Sequence, residues 1–337
     1  MTYDQMQTVN FTMFQIFMWT WFPTVFNWIL DKAVRWMSAK AFPDVPKSWK
    51  FSPAPSFAIT PPLIADELYP LMKSGFAEPV AEVSKILGPK SIQLTDGRVL
   101  EDIDSIIYCT GYDLCVPFIP PEHNPYEFVG DTPKLFHGTF SLHPDPEVRN
   151  SIAFLGHGAL NLTGFVMYEL NAMAISQTWL GKSPLPPYEE MLQWHRNWLE
   201  WRRSLMKKQK MVSSFYVALI SFPDHFQWLN SQAGSGLLEH FSWTSWRCWQ
   251  FWWNEPKLYK KCKTGLMSPA LWRLFDMGKR KPWSKAREQI LFDNDIAEKR
   301  LAERVERMKQ VNLGCRDHNA IWLQNTNFTQ KAMVAGQ

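Results

Sequence analysis

The sequence predicts an α/β fold: the closing part of an open sheet, followed by a helical, aromatic-rich C-terminal region. Three observations lead there. Ile106-Ile107-Tyr108, inside Asp104–Cys109, is a short apolar run suited to a strand buried on both faces. It ends abruptly at Thr110-Gly111-Tyr112, and a second apolar run, Ile152–Leu155, ends at Gly156-His157-Gly158. A helical pattern then runs from Asn161 to Leu180 and stops at Gly181. In open α/β sheets, ligands lie beyond the carboxyl ends of strands. Glycine there lets a ligand or another backbone come close. An ordinary turn after a buried strand has the same composition, and that reading stays open.

Taken in order, the elements read as follows. Phe11–Leu30 carries no charge and is rich in Phe, Trp, Ile and Met. Twenty such residues match a bilayer span, but Gln15, Pro23 and Asn27 favour a surface or buried helix. Residues 40–62 are Pro-rich and read as a connector. Asp66–Lys73 suits a short helix ending at Gly75, and Pro79–Ile86 a strand. Ser91–Leu94 and Arg98–Leu100, joined through Asp96-Gly97, read as a hairpin. Pro117–Pro146 reads as a long Pro-rich loop. The helix 161–180 is expected to pack on the sheet through Leu162, Val166, Leu170 and Met173.

Residues 188–210 carry the clearest helix signal, with Glu189 and Glu190 first and Lys207, Lys208 and Lys210 last. Met191, Trp194, Trp198, Trp201 and Leu205 make one apolar stripe, with His195 beside it as a surface residue. Residues 295–311 read as a charged helix with Asp295 and Glu298 as its capping pair, and residues 324–337 as a tail. The domain boundaries that follow are 1–62, 63–181, 182–323 and 324–337.

Composition excludes several functions. An apolar fraction of 46% supports a core, and a net charge of +4 with interspersed signs argues against nucleic acid. Five cysteines without a C-x-x-C pair suggest reduced thiols in a cytoplasmic setting. His137 and His143 lack a third ligand at metal-like spacing, so no metal site is assigned, and solvent exposure is expected for both. There is no G-x-S-x-G elbow. Five of eighteen tryptophans fall within Trp243–Trp253 and are expected in an aromatic core or lid, with a protein-binding patch as the alternative.

The order of motifs adds a resemblance. Asp96-Gly97, Asp104, Ile106 to Tyr112 and Pro117-Phe118-Ile119 resemble the late segment of flavin-containing monooxygenases, with Cys109 where that family usually has Ala. Pro62 to Pro70 with Ser74-Gly75 resembles a middle segment of the family. Ser268-Pro269, Arg273-Leu274, Trp283, Ala286-Arg287 and Ile290 resemble its C-terminal segment. The resemblance covers roughly residues 40–295. It implies the closing part of a Rossmann-like FAD/NAD(P)-binding sheet, FAD and NADPH as cofactors, and O2 used to oxygenate a nitrogen, sulfur or carbon centre of a small molecule. No catalytic acid–base pair is then expected, because the flavin carries the chemistry.

By resemblance, Thr110, Gly111 and Tyr112 fall near the junction of the cofactor domains. Gly156, His157, Gly158 and Asn161 fall near the flavin ring. The family's G-x-G-x-x-G and F-x-G-x-x-x-H motifs do not occur. Gly156-His157-Gly158-Ala-Leu-Asn161 has Asn161 for the third glycine and no acidic residue near 177–181. The chain therefore looks like the C-terminal portion of such an enzyme, with a separately encoded N-terminal half as one way to complete it. The alternative is a non-catalytic remnant or membrane-associated accessory chain, touching the membrane through Phe11–Leu30 and binding no flavin.

Overall fold

The computed structural model describes residues 8–49, 51–52, 54, 56–57, 68–109, 115–158, 164–206, 218–303 and 305–306. Helices and two small antiparallel sheets make up these residues. The chain groups into two compact units, Phe14–Ala233 and Met1–Met13 with Gly234–Gln337.

The uncharged N-terminal stretch forms two helices, α1 (Val9–Trp21) and α2 (Pro23–Ala41). Pro23 sits in the first turn of α2, where its missing N–H is tolerated and where it cannot continue α1. Phe14 and Trp19 meet the buried Phe26 ring edge-on at 5.7 and 5.0 Å. Asn27, read as a weakness in a bilayer span, accepts from Trp19 Nε1 at 2.8 Å and ties the two helices. Among the described residues no helix is long and apolar enough to cross a membrane.

Helix α3 (Leu68–Lys73) precedes Gly75, whose φ of 80° ends it. An antiparallel sheet follows, ordered β1 (Val83–Gly88), β2 (Ser91–Leu94), β3 (Val99–Leu100). The expected hairpin is present: Gly97 donates to Leu94 O at 3.0 Å with φ 88°, and Leu94 donates to Arg98 O at 2.8 Å. Only β2 contributes a buried face, through Ile92 and Leu94.

The strand expected over Asp104–Cys109 is corrected. Residues 101–109 have no regular secondary structure, and Ile106, Ile107 and Tyr108 are exposed. A buried parallel strand needs a partner on each edge and a layer on each face. Among the described residues no strand lies alongside this run.

The Pro-rich stretch is also more than a loop. It contains the hairpin β4 (Leu135–Phe136) and β5 (Phe140–Ser141), in register Leu135↔Ser141 and Phe136↔Phe140. Helix α4 (Pro146–Ser151) begins at its end, capped by Asp145 Oδ1, which accepts from Glu147 N at 2.8 Å. The apolar run at 152–155 is reduced to a single antiparallel bridge, Phe140↔Ala153, with Phe154 N donating to Thr139 O at 2.7 Å. Val116, Tyr126, Leu135 and Phe154 form one core cluster here. Phe136, Phe140, Leu142 and Met191 form a second.

Helix α5 (Gly164–Trp179) ends before Gly181 at φ 70°. It packs mainly on α7 (Phe222–Ala233), and on the small β4–β5 sheet only through Ile175, which meets the Phe136–Phe140 cluster. Two-residue strands offer too little face to seat a four-turn helix. The buried side of α5 includes Leu170, Asn171, Ala174 and Gln177, and Gln232 Nε2 of α7 donates to Thr178 Oγ1 at 2.7 Å. Helix α6 (Tyr188–Met206) carries the expected stripe. Met191 and Trp198 are buried, and Trp198 Nε1 donates to Leu219 O at 2.8 Å.

The other unit contains α8 (Leu237–Phe241), α9 (Trp246–Asn254), α10 (Pro256–Thr264) and α11 (286–303). Its core is aromatic: Phe275 meets Phe251 edge-on at 5.2 Å and lies flat on His240 at 3.7 Å, beside fully buried Trp272 and Ile290. The C-terminal motif residues are its fasteners. Ser268 Oγ caps the 3-10 turn Pro269–Arg273, accepting from Ala270 N at 3.3 Å, and donates to Asp293. Trp283 N donates to Arg273 O at 2.8 Å, Ala286 is fully buried, and Arg287 forms a two-pronged pair with Glu255. Because α11 starts at 286, Asp295 and Glu298 do not cap it. They lie mid-helix, 3.6 and 2.6 Å from Lys261 Nζ of α10.

Candidate functional site

Two turns meet in the Phe14–Ala233 unit. The first is His137-Gly138, between β4 and β5. Both residues have positive φ, 49° and 62°, and Thr139 N donates to Phe136 O across them at 3.0 Å, as the primed hairpin turns require. The second is the expected Gly156-His157-Gly158 turn, with Gly156 at φ 85°. The turns touch through backbone. A Cβ on Gly138 would lie 2.9 Å from Gly158 Cα, and a Cβ on either glycine would lie 2.8 Å from Ile220 Cδ1. Thr139 Oγ1 lies 3.1 Å from both His137 O and Asn171 Oδ1, which fastens the hairpin to α5.

His157 has a defined tautomer. Its Nδ1 is 2.7 Å from the Tyr126 hydroxyl. Burial, with a smaller push from Cys115, raises Tyr126 to about 12, so the phenol keeps its proton, and His157 Nδ1 is the one acceptor it meets among the described residues. Burial also lowers His157, so its ring is neutral near pH 7. Nδ1 therefore accepts, and the remaining proton sits on Nε2. Among the described residues Nε2 has no hydrogen-bond partner, and from this half-buried ring it can donate to a ligand. Asn124 holds Tyr126 in place by accepting from Tyr126 N at 3.0 Å and donating to Val116 O at 3.0 Å.

Behind the first turn lies a buried histidine cluster. His137 is buried, not exposed as the sequence suggested. Its ring stacks on Trp228 at 4.3 Å and 3° and lies 4.2 Å from Trp194. Its Nδ1 approaches Asp224 Oδ2 at 3.8 Å, while Trp194 Nε1 donates to the same oxygen at 3.0 Å. Burial, then nearby His225, holds His137 well below its usual value. Burial lowers His225 to about 3. At neutral pH the His137–Asp224 approach therefore sets a neutral imidazole beside the carboxyl group and is not an ion pair. His143 is half-buried and its Nδ1 accepts from Asp145 N at 3.1 Å. His195 is half-buried too, with Nε2 3.3 Å from Pro133 O. Among the described residues no group of three His, Cys, Asp or Glu is placed to hold a metal ion.

Of the site residues read from sequence, Gly156, His157 and Gly158 are brought together. Thr110, Gly111, Tyr112 and Asn161 lie outside the described residues. Sequence reasoning missed Tyr126 and Gly138. Gly138 had a signal: His-Gly between Leu135-Phe136 and Phe140 fits a two-residue hairpin loop. Tyr126 had none, because its role depends on a contact 31 residues away.

Mixed helix and small sheet fit a protein of the α/β class. A family model described as Flavin-binding monooxygenase-like matches residues 5–323, and the chain belongs to that family. It is similar to Monooxygenase aurF of Gibberella zeae, 30% identical over 76% of this chain and 49% of the relative. It is also similar to Flavin-containing monooxygenase iboF of Amanita muscaria, 28% identical over 38% of this chain and 26% of the relative. Flavin-containing monooxygenase 3 of Homo sapiens is 24% identical over 72% of this chain and 41% of the relative. The chain thus spans about half the length, or less, of these curated relatives.

The donors at the site can be weighed against a flavin. The rim of its ring presents carbonyl oxygens and ring nitrogens, and a neutral Nε2–H beside a glycine turn suits such acceptors. Among the described residues, the side chains meeting the turn are those of Tyr126, Phe154, Tyr168 and Ile220, without a cation among them.

Proposed function

We propose that this chain forms part of a flavin-dependent monooxygenase that uses NADPH and O2 to oxygenate a nitrogen, sulfur or carbon centre of a small molecule. The observation that carries this reading is the family match across residues 5–323. The flavin, when bound, supplies the oxygen chemistry. This chain's residues would line one edge of it. Gly156 and Gly158 give close backbone approach, and His157 donates from Nε2 with its orientation fixed by Tyr126. Thr110, Gly111, Tyr112 and Asn161 are further candidates for cofactor contact. The grip on the FAD and NADPH phosphates must come from other polypeptide, since the sequence has no glycine-rich fingerprint for either. The Rossmann-like sheet implied by the family would then be completed by the same polypeptide.

The test is flavin binding by the purified chain, alone and co-expressed with a fingerprint-bearing N-terminal half. The completed protein is expected to be yellow and to consume NADPH. Tyr126→Phe removes the bond that fixes His157 and is expected to weaken FAD binding about fivefold, the worth of one hydrogen bond. Equal FAD affinity in the variant would remove His157 from the site.

A second reading, a remnant that binds no flavin, is favoured by one observation: the exposed run Ile106–Tyr108, beside which no described strand lies. A colourless product, with or without the N-terminal half, would support it.

A further inference from the structure

Arg280 is a half-buried cation whose donors lack an acceptor. Its Nε and Nη2 are covered from solvent, and neither has a hydrogen-bond partner among the described residues. These two nitrogens share one edge of the guanidinium. Their N–H groups run parallel there and match two oxygens of a single oxyanion. Leaving such an edge buried and unpaired destabilises a fold, so its place in a packed loop points to a ligand. Neighbouring charge does not relieve it. Arg273 repels Arg280 and Asp276 attracts it, and the repulsion is the larger effect. Asp276 Oδ1 is turned to its own loop, where it accepts from Gly278 N at 2.8 Å. Burial and Arg273 bring Arg280 down to about 10, which leaves it charged near pH 7.

The loop that carries Arg280 is closed and pinned. Trp283 N donates to Arg273 O at 2.8 Å across its neck. Within it, buried Phe275 lies flat on His240 at 3.7 Å, and Met277 Sδ accepts from Arg247 Nη1 at 3.0 Å. Two glycines let the loop seat closely on the chain before α8. A Cβ on Gly234 would lie 3.1 Å from Lys279 Cβ, and one on Gly236 would lie 2.9 Å from Met277 Sδ. Packing on both sides of Arg280 therefore fixes its backbone before any ligand arrives. The tip is different. Gly278 has φ 79° and no neighbour within 4 Å of the place a Cβ would take. Backbone there can give and admit a small ion to the covered edge.

That covering selects the ligand. A second polypeptide needs an exposed surface to dock on, whereas a small ion needs only a path past the tip. Charge selects further. Because Arg273 outweighs Asp276, the field at Arg280 is positive. A phosphate group, with about −1.5 to −2 charge at pH 7, gains more from it than a singly charged carboxylate does. We propose that the Arg273–Trp283 loop is a phosphate site, in which the Nε and Nη2 edge of Arg280 grips two oxygens of inorganic phosphate or of a phosphomonoester. The site belongs to the unit that contains α8 to α11 and does not rest on the flavin reading.

The test is equilibrium dialysis of the full chain with labelled inorganic phosphate. Saturable binding is expected in the wild type. Arg280→Lys keeps the charge but loses the fork, and is expected to bind about tenfold or more weakly, the worth of one hydrogen bond to a charged group. Arg280→Met is expected to show no saturable binding. With the unpaired charge gone, it is expected to unfold in phosphate-free buffer at a midpoint equal to or above that of the wild type. Added phosphate should then raise the wild-type midpoint more than the variant's, as ligand linkage requires. Displacement of the label by glucose 6-phosphate would assign the site to phosphomonoesters, and displacement by inorganic phosphate alone to the free ion. Four outcomes overturn the proposal: no saturable binding by the wild type, equal binding by Arg280→Lys and Arg280→Met, displacement by acetate at lower concentration than by phosphate, or a clearly lowered midpoint of Arg280→Met without phosphate. The last is the result expected if protein groups already satisfy the guanidinium.

Discussion

Gly138 meets two separate demands, and they can be measured apart. Its φ of 62° places it where an L side chain is strained. A Cβ there would also sit 2.9 Å from Gly158 Cα, closer than real contacts allow. Gly75 has the first demand without the second, with φ 80° and open space for 4 Å around the position a Cβ would take. Gly75→Ala is therefore expected to cost about 1–2 kcal/mol, the left-handed strain alone. Gly138→Ala should cost about 2–4 kcal/mol, because the two turns must also separate. Urea unfolding midpoints compare the two, and equal losses would mean that the turns do not depend on touching. The sequence shows Gly156 and Gly158 as a special turn, since they stop an apolar run. It does not show what they rest on, because the partner turn lies some twenty residues earlier and is met only through space.

At the level of elements, local signals survived and non-local ones did not. The hairpin at Asp96-Gly97, the helices α5 and α6 and the stop at Gly181 each depend on neighbours in sequence, and all are present. The run Ile106–Tyr108 has strand character, but a strand is defined by a partner, and none of the described residues supplies one. Trp243–Trp253 is an instance of the same limit: helical spacing separates two faces of α9 without saying which is inside. Here small Cys248 and Phe251 face the core, and the larger indoles do not. Exposure of the apolar run has a direct consequence. Ile107 is 83% exposed, so Ile107→Lys is expected to leave the unfolding free energy of the chain within about 0.5 kcal/mol of wild type. A loss of several kcal/mol, the result expected for a lysine forced into a packed sheet, would restore the buried strand.

For the molecule as a whole, buried histidines couple stability to pH. His137 and His225 lie in the same compact unit, and burial lowers both below their unfolded value near 6.5. Below that value the unfolded chain takes up protons that the folded chain refuses, so stability is complete above about pH 6.5 and declines as pH falls. For His225 the decline continues until its folded value of about 3. Each fully buried histidine contributes a slope of roughly 1.4 kcal/mol per pH unit once its unfolded form is charged. Asp224 works against them in the acid range, because burial raises its carboxyl and the folded state binds that proton more readily than the unfolded one. Chemical denaturation between pH 7 and pH 5 is therefore expected to show a slope of which these two histidines supply roughly 2–3 kcal/mol per pH unit, with half-buried His157, His195 and His240 adding in the same direction. His225→Gln keeps a polar side chain of similar reach but cannot charge. It is expected to be less stable at pH 7 and to lose about one proton, near 1.4 kcal/mol per pH unit, from that slope. A variant that falls with pH as steeply as the wild type would show that His225 is not held neutral in the fold, and the packing of His137 between Trp194 and Trp228 would then have to loosen enough to admit charge.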